Sequence, residues 1–203
     1  IDNITIQASA NAAIKVQAGA TVSLTLSGTN SLSGGDGFAG ISVAAAWTGD
    51  GSYDIVNCGQ LILMGSGRLT TIGGKASAKY GAGAGIGGDG FGNAEAAHQV
   101  GGDFGQITIE SGQISAYGGT AANFDYGAGA GIGGGGVKSN WTYAGSIVIN
   151  GGTIEATGGA DYNGFCAAAA VGSGASDSSS AVYSNDLTIE ITDGVVTAQG
   201  GTS

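Results

Sequence analysis

The chain has 203 residues, of which 44 are glycine and none is proline, and its formal net charge is −10. The lack of a Gly-X-Y period excludes collagen, and 42% hydrophobic against 10% charged residues argues against intrinsic disorder. The acidic balance disfavours nucleic acid as a partner, and the absence of an apolar stretch of about 20 residues disfavours insertion into a membrane.

The first 50 residues contain weak copies of a repeat. Ile14 in AAIKV and Ile41 in AGISV resemble the later segment AGAGIGG, which holds Ile86. The run VSLTL at 22–26 matches the later run ITI at 107–109. Because Gly, Ser, Thr, Ile and Val are common while most helix formers are scarce, these copies predict short strands joined by tight turns.

Clear copies of the repeat follow between residues 58 and 201. Each holds a short β run, a second β run ending in Gly-Gly, and a third run such as GAGAGIGG. The complete copies occupy 61–63, 68–74 and 81–88, then 107–109, 113–119 and 127–134, then 147–149, 153–159 and 166–173. A fourth copy contains only 187–189 and 195–201. Their uneven spacing indicates a constant unit with variable loop insertions.

A single unit of this kind has no buried face and no partners for its backbone. Stacking the units in register provides both, because each strand then pairs in parallel with its equivalent about 4.8 Å away. We therefore predict one all-β domain over residues 1–203, a right-handed parallel β-helix of about five to six rungs with loop insertions. The alternative is an antiparallel sandwich or barrel, for which few hairpin turns such as Asn150-Gly151 occur.

The segments GQITIESGQISAYGG, GAGAGIGGGG and GSIVINGGTIEATGG carry a family resemblance. They resemble the glycine-rich repeats of large secreted or cell-wall proteins of gut and environmental Gram-positive bacteria. The resemblance covers residues 58–201 well and residues 1–57 loosely. It implies an extracellular, secreted or cell-wall-associated β-helix module with adhesin-like or carbohydrate-binding roles. No site residues can be transferred, because the matching positions are structural glycines and core aliphatic residues.

Three functions are consistent with this sequence. The first is a non-enzymatic structural or adhesive module of a bacterial surface protein, with host or cell-wall glycans or surface proteins as partners. Its interaction surface would be the long loops predicted at 44–57, 90–105, 136–145 and 174–186. The second is a carbohydrate-binding module that uses loop aromatic residues. The third is a β-helical polysaccharide lyase or hydrolase.

Aromatic residues in these loops are the candidate sugar-binding groups. Trp47 with Tyr53, and Trp141 with Tyr143, could stack on sugar rings beside hydrogen-bonding side chains. The alternative is that these loops fold over the coil. A further set occupies equivalent places before the glycine-rich runs and predicts an aromatic ladder that packs a corner of the coil: Tyr80, Tyr126 and Phe165.

Calcium is the candidate metal, and no other cofactor is predicted. Asp36 and Asp89 both lie in the motif GGDG, and GGD recurs at Asp103. These fragments resemble the Gly-Asp turns that bind Ca²⁺ between coils, although a single aspartate leaves most ligands to carbonyls and water. The alternative is an aspartate that stabilises its own turn. The lone histidine, His98, is interpreted as a solvated surface group.

Catalysis is not predicted. Basic residues are few, and the carboxylate pairs that stacking could bring together, Asp103 with Asp125 or Asp89 with Asp125, align poorly. The two cysteines, Cys58 and Cys166, are about two rungs apart on different faces, too far for a disulfide. We therefore predict free, buried thiols that act as small hydrophobic groups.

Overall fold

The strands were located in a computed structural model that describes residues 1–48, 52–92, 102–122, 126–138, 141–161, 166–176 and 182–202. The six-stranded sheet contains β1 (Thr5–Gln7), β4 (Thr29–Ser33), β7 (Arg68–Ile72), β10 (Gln113–Tyr117), β13 (Thr153–Thr157) and β16 (Val195–Gln199). The short-strand sheet contains β2 (Ile14–Val16), β5 (Ile41–Val43), β8 (Ile86–Gly87), β11 (Ile132–Gly133) and β14 (Val171–Gly172). The long-strand sheet contains β3 (Thr21–Leu26), β6 (Gln60–Gly65), β9 (Gln106–Ile109), β12 (Trp141–Ile149) and β15 (Val182–Ile191).

Successive strands enter the three sheets in turn, so each strand pairs with the strand three positions along the chain. Every strand-to-strand pairing is parallel. The strands β1 to β15 make five rungs, and β16 begins a sixth. The predicted parallel β-helix of about five to six rungs is confirmed, and its right-handed sense stays a prediction. No helix in the described ranges is long and apolar enough to cross a membrane.

The core consists of aliphatic side chains stacked in rows along the coil. In the short-strand sheet the register confirms the row predicted from the sequence: Ile14, Ile41, Ile86, Ile132 and Val171. In the long-strand sheet two inward rows begin at Val22 and Leu24, and their central members are fully buried. Burying one such side chain stabilises the fold by about 1.5–3 kcal/mol, so the rows provide the main stabilisation of the stack.

Two polar residues interrupt the inward rows of the six-stranded sheet. The Asn30 amide donates to the carbonyl oxygens of Ser27 at 2.8 Å and Arg68 at 3.1 Å, and its oxygen accepts from the Ile4 amide at 3.1 Å. Asn30 therefore joins three consecutive passes of the chain through side-chain hydrogen bonds. Thr71 is also fully buried, but its hydroxyl makes no hydrogen bond with any described residue.

Replacing Thr71 with valine is expected to raise the free energy of unfolding by about 1 kcal/mol, because an unpaired buried hydroxyl costs about 1–3 kcal/mol and valine has the same shape. The midpoint of urea denaturation measures the change. Thr70→Val is the matched control, since the neighbouring Thr70 is half-buried on the outer face. A loss of stability in Thr71→Val beyond that of the control would mean that the Thr71 hydroxyl forms a hydrogen bond.

The glycine-rich runs form an arm beside the coil. The glycine arm has outgoing segments (73–76, 118–121 and 158–161), returning segments (81–85, 127–131 and 166–170) and a third layer (88–91, 134–137 and 173–176). Within a rung, the Gly83 amide donates to Gly74 O at 2.9 Å, and the Gly81 amide donates to Phe91 O at 3.0 Å. From rung to rung, the Gly119 amide donates to Gly83 O at 2.9 Å. The three layers therefore share one hydrogen-bond network.

Glycine is required in the arm because the layers meet backbone to backbone. A Cβ on Gly83 would overlap the Phe38 carbonyl, and a Cβ on Gly119 would overlap the Gly74 carbonyl. The sequence prediction of small residues that let one wall approach another is confirmed. The third run was predicted as a short strand, whereas only two residues of each copy are strand, Ile86–Gly87 in the first copy. The residues before them hydrogen-bond instead to the neighbouring layers of the arm.

Two of the predicted loops contain strand at one end. Residues 141–145 belong to β12 and residues 182–186 to β15, so the loop predictions for 136–145 and 174–186 are wrong in their second halves. Trp141 pairs with Val182, and the register shifts between Tyr143 and Ala144. The β-branched and aromatic residues of these segments favour strand, and the extra residue of the bulge obscures the alignment of the two runs in the sequence.

Candidate functional site

Asp89 occupies a corner of the coil where three rungs meet. Its carboxylate accepts hydrogen bonds from the Ala39 amide at 2.9 Å and the Ser42 hydroxyl at 2.9 Å, and it pairs with Lys15 Nζ at 3.1 Å. Lys15 and Ser42 are register partners on β2 and β5, whereas Asp89 follows β8. The carboxylate therefore links a third rung to the two before it.

Asp103 performs a similar role toward the following rung. Its side chain is 3% exposed, and Oδ1 accepts from the Ala144 amide at 2.9 Å. Asp89 and Asp103 together line a cavity of about 280 Å³, which also borders Lys15, Gln17 and Ser42. We call this cavity and its two aspartates the aspartate corner. Two of the three candidate calcium residues are thus brought together.

The aspartate corner does not match the predicted calcium site in its ligands. Both oxygens of the Asp89 carboxylate already accept protein hydrogen bonds, and Lys15 places an ammonium group beside it. Asp36 is exposed and does not border the cavity. Among the described residues, no group of three or more His, Cys, Asp or Glu side chains is arranged to hold a metal. The hydrogen bonds of Asp89 and Asp103 come from residues of other rungs, so the geometry favours aspartates that join rungs over both a calcium site and the alternative of an aspartate that stabilises its own turn.

The candidate aromatic residues Trp47 and Tyr53 contact each other next to this corner. Their backbones form an antiparallel bridge, and their rings meet edge to face with centroids 5.9 Å apart. The Tyr53 hydroxyl donates to the carbonyl of Phe104, the residue after Asp103, at 2.9 Å. Trp47 Nε1 is buried without a hydrogen bond to any described residue. This geometry favours the alternative of a loop folded over the coil.

Two side chains of the same loop, Tyr53 and Asp54, have shifted pKa values. Burial, followed by the contact with Cys58, raises the pKa of the Tyr53 phenol, so the hydroxyl stays protonated as a donor. At Asp54, the Asn57 side chain donates to the carboxylate at 2.7 Å, and the backbone amides of Asn57 and Val56 donate at 3.1 Å each. These bonds lower the pKa of Asp54, which keeps the turn closed by a charged acceptor.

The other candidate residues lie apart from the aspartate corner or outside the described residues. Trp141 and Tyr143 belong to β12, whose backbone places them on the long-strand sheet. His98, Asp125 and Phe165 lie outside the described ranges. In the predicted aromatic ladder, Tyr126 is buried under Lys138, whose Nζ is 5.3 Å from the ring centroid. Tyr80 instead remains 42% exposed, with its ring 6.2 Å from that of Phe38.

The cysteine prediction is confirmed. Cys58 and Cys166 are both buried and neither forms a disulfide. Cys58 Sγ lies 3.1 Å from the carbonyl oxygen of Ile55, and Cys166 packs with small residues of the glycine arm such as Ala128 and Ala168. Both thiols are thus free and buried as predicted, and the Cys58 thiol also donates a hydrogen bond to a backbone carbonyl.

A second cavity, which the sequence analysis did not identify, is an open groove on the outer face of the six-stranded sheet. This outer groove has a volume of about 280 Å³. One row of its lining is Thr29, Arg68, Gln113 and Thr153, which the strand pairing holds in register. A parallel row is Thr70, Ser115, Glu155 and Thr197.

The outer groove exists because side chains alternate along each strand. Leu69, Ile114 and Ile154 point into the core and are each 1% exposed, so their neighbours on both sides point outward. The pattern is visible once the runs RLTTI, QISAY and TIEAT are aligned, because their first and third letters are polar or hydroxyl-bearing. It was missed because no single residue type repeats at these positions.

Comparisons of the chain with protein-family models, with curated proteins and with solved structures find no match. The resemblance to Gram-positive surface repeats therefore stays a prediction, and the function is argued from the geometry alone.

Proposed function

We propose that this chain is a non-enzymatic structural and adhesive module of an extracellular bacterial surface protein. The observation that carries the proposal is the unbroken stack: three parallel sheets run in register through five rungs, around one set of aliphatic rows. Such a stack holds outward side chains at a fixed spacing of about 4.8 Å per rung. A surface with that regularity suits repeated weak contacts with a polymer or a cell surface.

The positions of the acidic residues support a structural role. Asp89 and Asp103 hold neighbouring rungs together, and Asp54 closes a loop turn. Their carboxylates accept hydrogen bonds from this chain's own amides and side chains. In this proposal the charges of these side chains stabilise the scaffold, and recognition belongs to the outward-facing surfaces.

Carbohydrate binding is the second candidate, and the outer groove favours it. The lining offers hydroxyl, amide, guanidinium and carboxylate groups within one open cavity. Polyhydroxylated ligands need both donors and acceptors of this kind. The loop aromatic residues are the alternative site, and a glycan array with Trp47→Ala and Trp141→Ala tests them.

Adhesion can be tested with beads that carry the chain, incubated with isolated Gram-positive cell walls and with epithelial cells. We expect saturable retention on at least one of these surfaces. A heat-unfolded sample of the same chain serves as the control and should not be retained specifically. Retention on neither surface would overturn the proposal. Release of reducing sugar or unsaturated uronate from wall polysaccharide would contradict its non-enzymatic part.

A further inference from the structure

We infer that the outer groove binds a neutral, extended polysaccharide lying parallel to the coil axis. This inference names a partner for the adhesive role and so rests on the proposed function. It rests equally on the groove itself, in which hydrogen-bonding side chains line two adjacent rows across five strands. The site lies on rigid strands and differs from the loop positions suggested by the sequence.

The chemistry of the lining suits a chain of hydroxyl groups. Arg68 and Gln113 supply N–H donors, Glu155 supplies acceptor oxygens, and the threonine and serine hydroxyls act as either. The Ser115 hydroxyl is only 3.5 Å from Glu155 Oε2, so the two side chains present one connected acceptor and donor surface. Most of these groups are exposed, so a ligand exchanges their water for hydroxyl groups of similar polarity.

The charge of the groove selects a neutral ligand. Its lining carries one positive side chain, Arg68, and one negative side chain, Glu155, which balance. The whole chain has a net charge of −10 and therefore repels a polyanion at long range. A strongly cationic polymer would be held by the acidic surface as a whole and would not need this groove.

The length and direction of the groove suit a polymer. It extends from Thr29 on β4 to Thr197 on β16, which spans four rung spacings or about 19 Å. Outward positions recur at each rung, so a ligand with a repeat close to the rung spacing meets a polar side chain at each step, although the residue type changes. Tyr117 and Ile72 lie on the same outer face beside the lining rows, and Ile72 is 42% exposed. They provide an apolar edge for the C–H faces of sugar rings.

A protein partner fits this face less well. Protein interfaces are centred on buried aromatic or aliphatic anchors, whereas the eight outward side chains that line the groove are all polar.

The test is affinity electrophoresis of the full chain in gels that contain hydroxyethyl cellulose, mixed-linkage β-glucan or glucomannan, with polygalacturonate as the anionic probe. We expect at least one neutral polysaccharide to retard the chain. The double variant Gln113→Ala/Thr70→Val should weaken binding about tenfold or more, because each of the two lost hydrogen-bonding groups costs about two- to tenfold. Thr108→Val is the matched control, since Thr108 lies outward on β9 of the long-strand sheet, and its binding should stay within about twofold of the parent.

Two results would overturn the inference: no retardation by any neutral polysaccharide, whether or not polygalacturonate retards the chain, or retardation that the double variant leaves unchanged. Circular dichroism of the double variant must match the parent, so that weaker binding reports the groove. Adhesion to walls or cells without binding to these polysaccharides would reject the groove and keep the proposed function. Binding to the polysaccharides without adhesion would keep the groove and reject the adhesive role.

Discussion

Replacing Gly118 with alanine is expected to lower the free energy of unfolding by about 3 kcal/mol or more, whereas Gly200→Ala should change it by less than about 0.5 kcal/mol. Both residues are the first glycine of a Gly-Gly pair after a strand of the six-stranded sheet, and both follow register partners of Thr157. A Cβ on Gly118 would overlap the Gly129 carbonyl, while a Cβ on Gly200 would have its nearest neighbour, Ala168 O, at 3.9 Å.

The size of the Gly118 effect follows from the rigidity of the arm. To admit a methyl group, the outgoing segment must separate from the returning one, which lengthens the bond from the Gly129 amide to Gly119 O. The bond from the Gly119 amide to Gly83 O is strained in the same way. Each buried hydrogen bond that is lost costs about 1–3 kcal/mol.

Urea denaturation followed by circular dichroism measures the stability of both variants. Their midpoints can be compared when the dependence of the free energy on urea concentration has the same slope. Amide hydrogen exchange shows which region is destabilised. We expect Gly118→Ala to increase exchange at residues 118–121 and 127–131 before the long-strand sheet is affected. If the free energies of unfolding of Gly118→Ala and Gly200→Ala differed by less than about 1 kcal/mol, the glycine arm would tolerate a methyl group. The backbone-to-backbone packing would then be wrong.

The part of the fold that could be predicted is the part where a residue type must recur. An inward side chain in one rung rests on the inward side chain of the next, so the same kind of residue is required at Ile41, Ile86 and Ile132. That requirement made the row visible even across insertions of different length. The strand β4 was harder to see, because its inward row includes the polar Asn30.

The candidate site was less predictable because outward positions carry no such requirement. Arg68, Gln113 and Thr153 are register partners, yet they share no residue type, so their common row appears only once the strands are paired. The two GGDG motifs illustrate the same limit. Asp36 and Asp89 have identical neighbours in sequence, but only Asp89 meets Lys15, a residue 74 positions away. Local sequence cannot encode a contact of that separation.

The aspartate corner provides the second large expected effect. Asp89→Ala should lower the free energy of unfolding by about 2 kcal/mol, because the Ala39 amide and the Ser42 hydroxyl lose their acceptor and Lys15 loses its partner. The ion pair with Lys15 contributes little of this loss of stability, since the Lys15 side chain is 45% exposed and solvent screens the two charges. Asp36→Ala is the matched control and should change stability by less than about 0.5 kcal/mol.

Melting of the parent and of Asp89→Ala with and without Ca²⁺ distinguishes a carboxylate bound to the chain's own donors from a calcium ligand. If Asp89 binds the chain's own donors, the melting temperature of the parent should be equal in EDTA and in millimolar Ca²⁺, since an ion would have to displace three contacts that are already formed. A ligand that binds only the folded state would raise the melting temperature with its concentration. A melting temperature that rises with Ca²⁺ in the parent but not in Asp89→Ala would therefore show that the carboxylate prefers a metal to Lys15. The assignment of Asp89 to the chain's own donors would then be wrong.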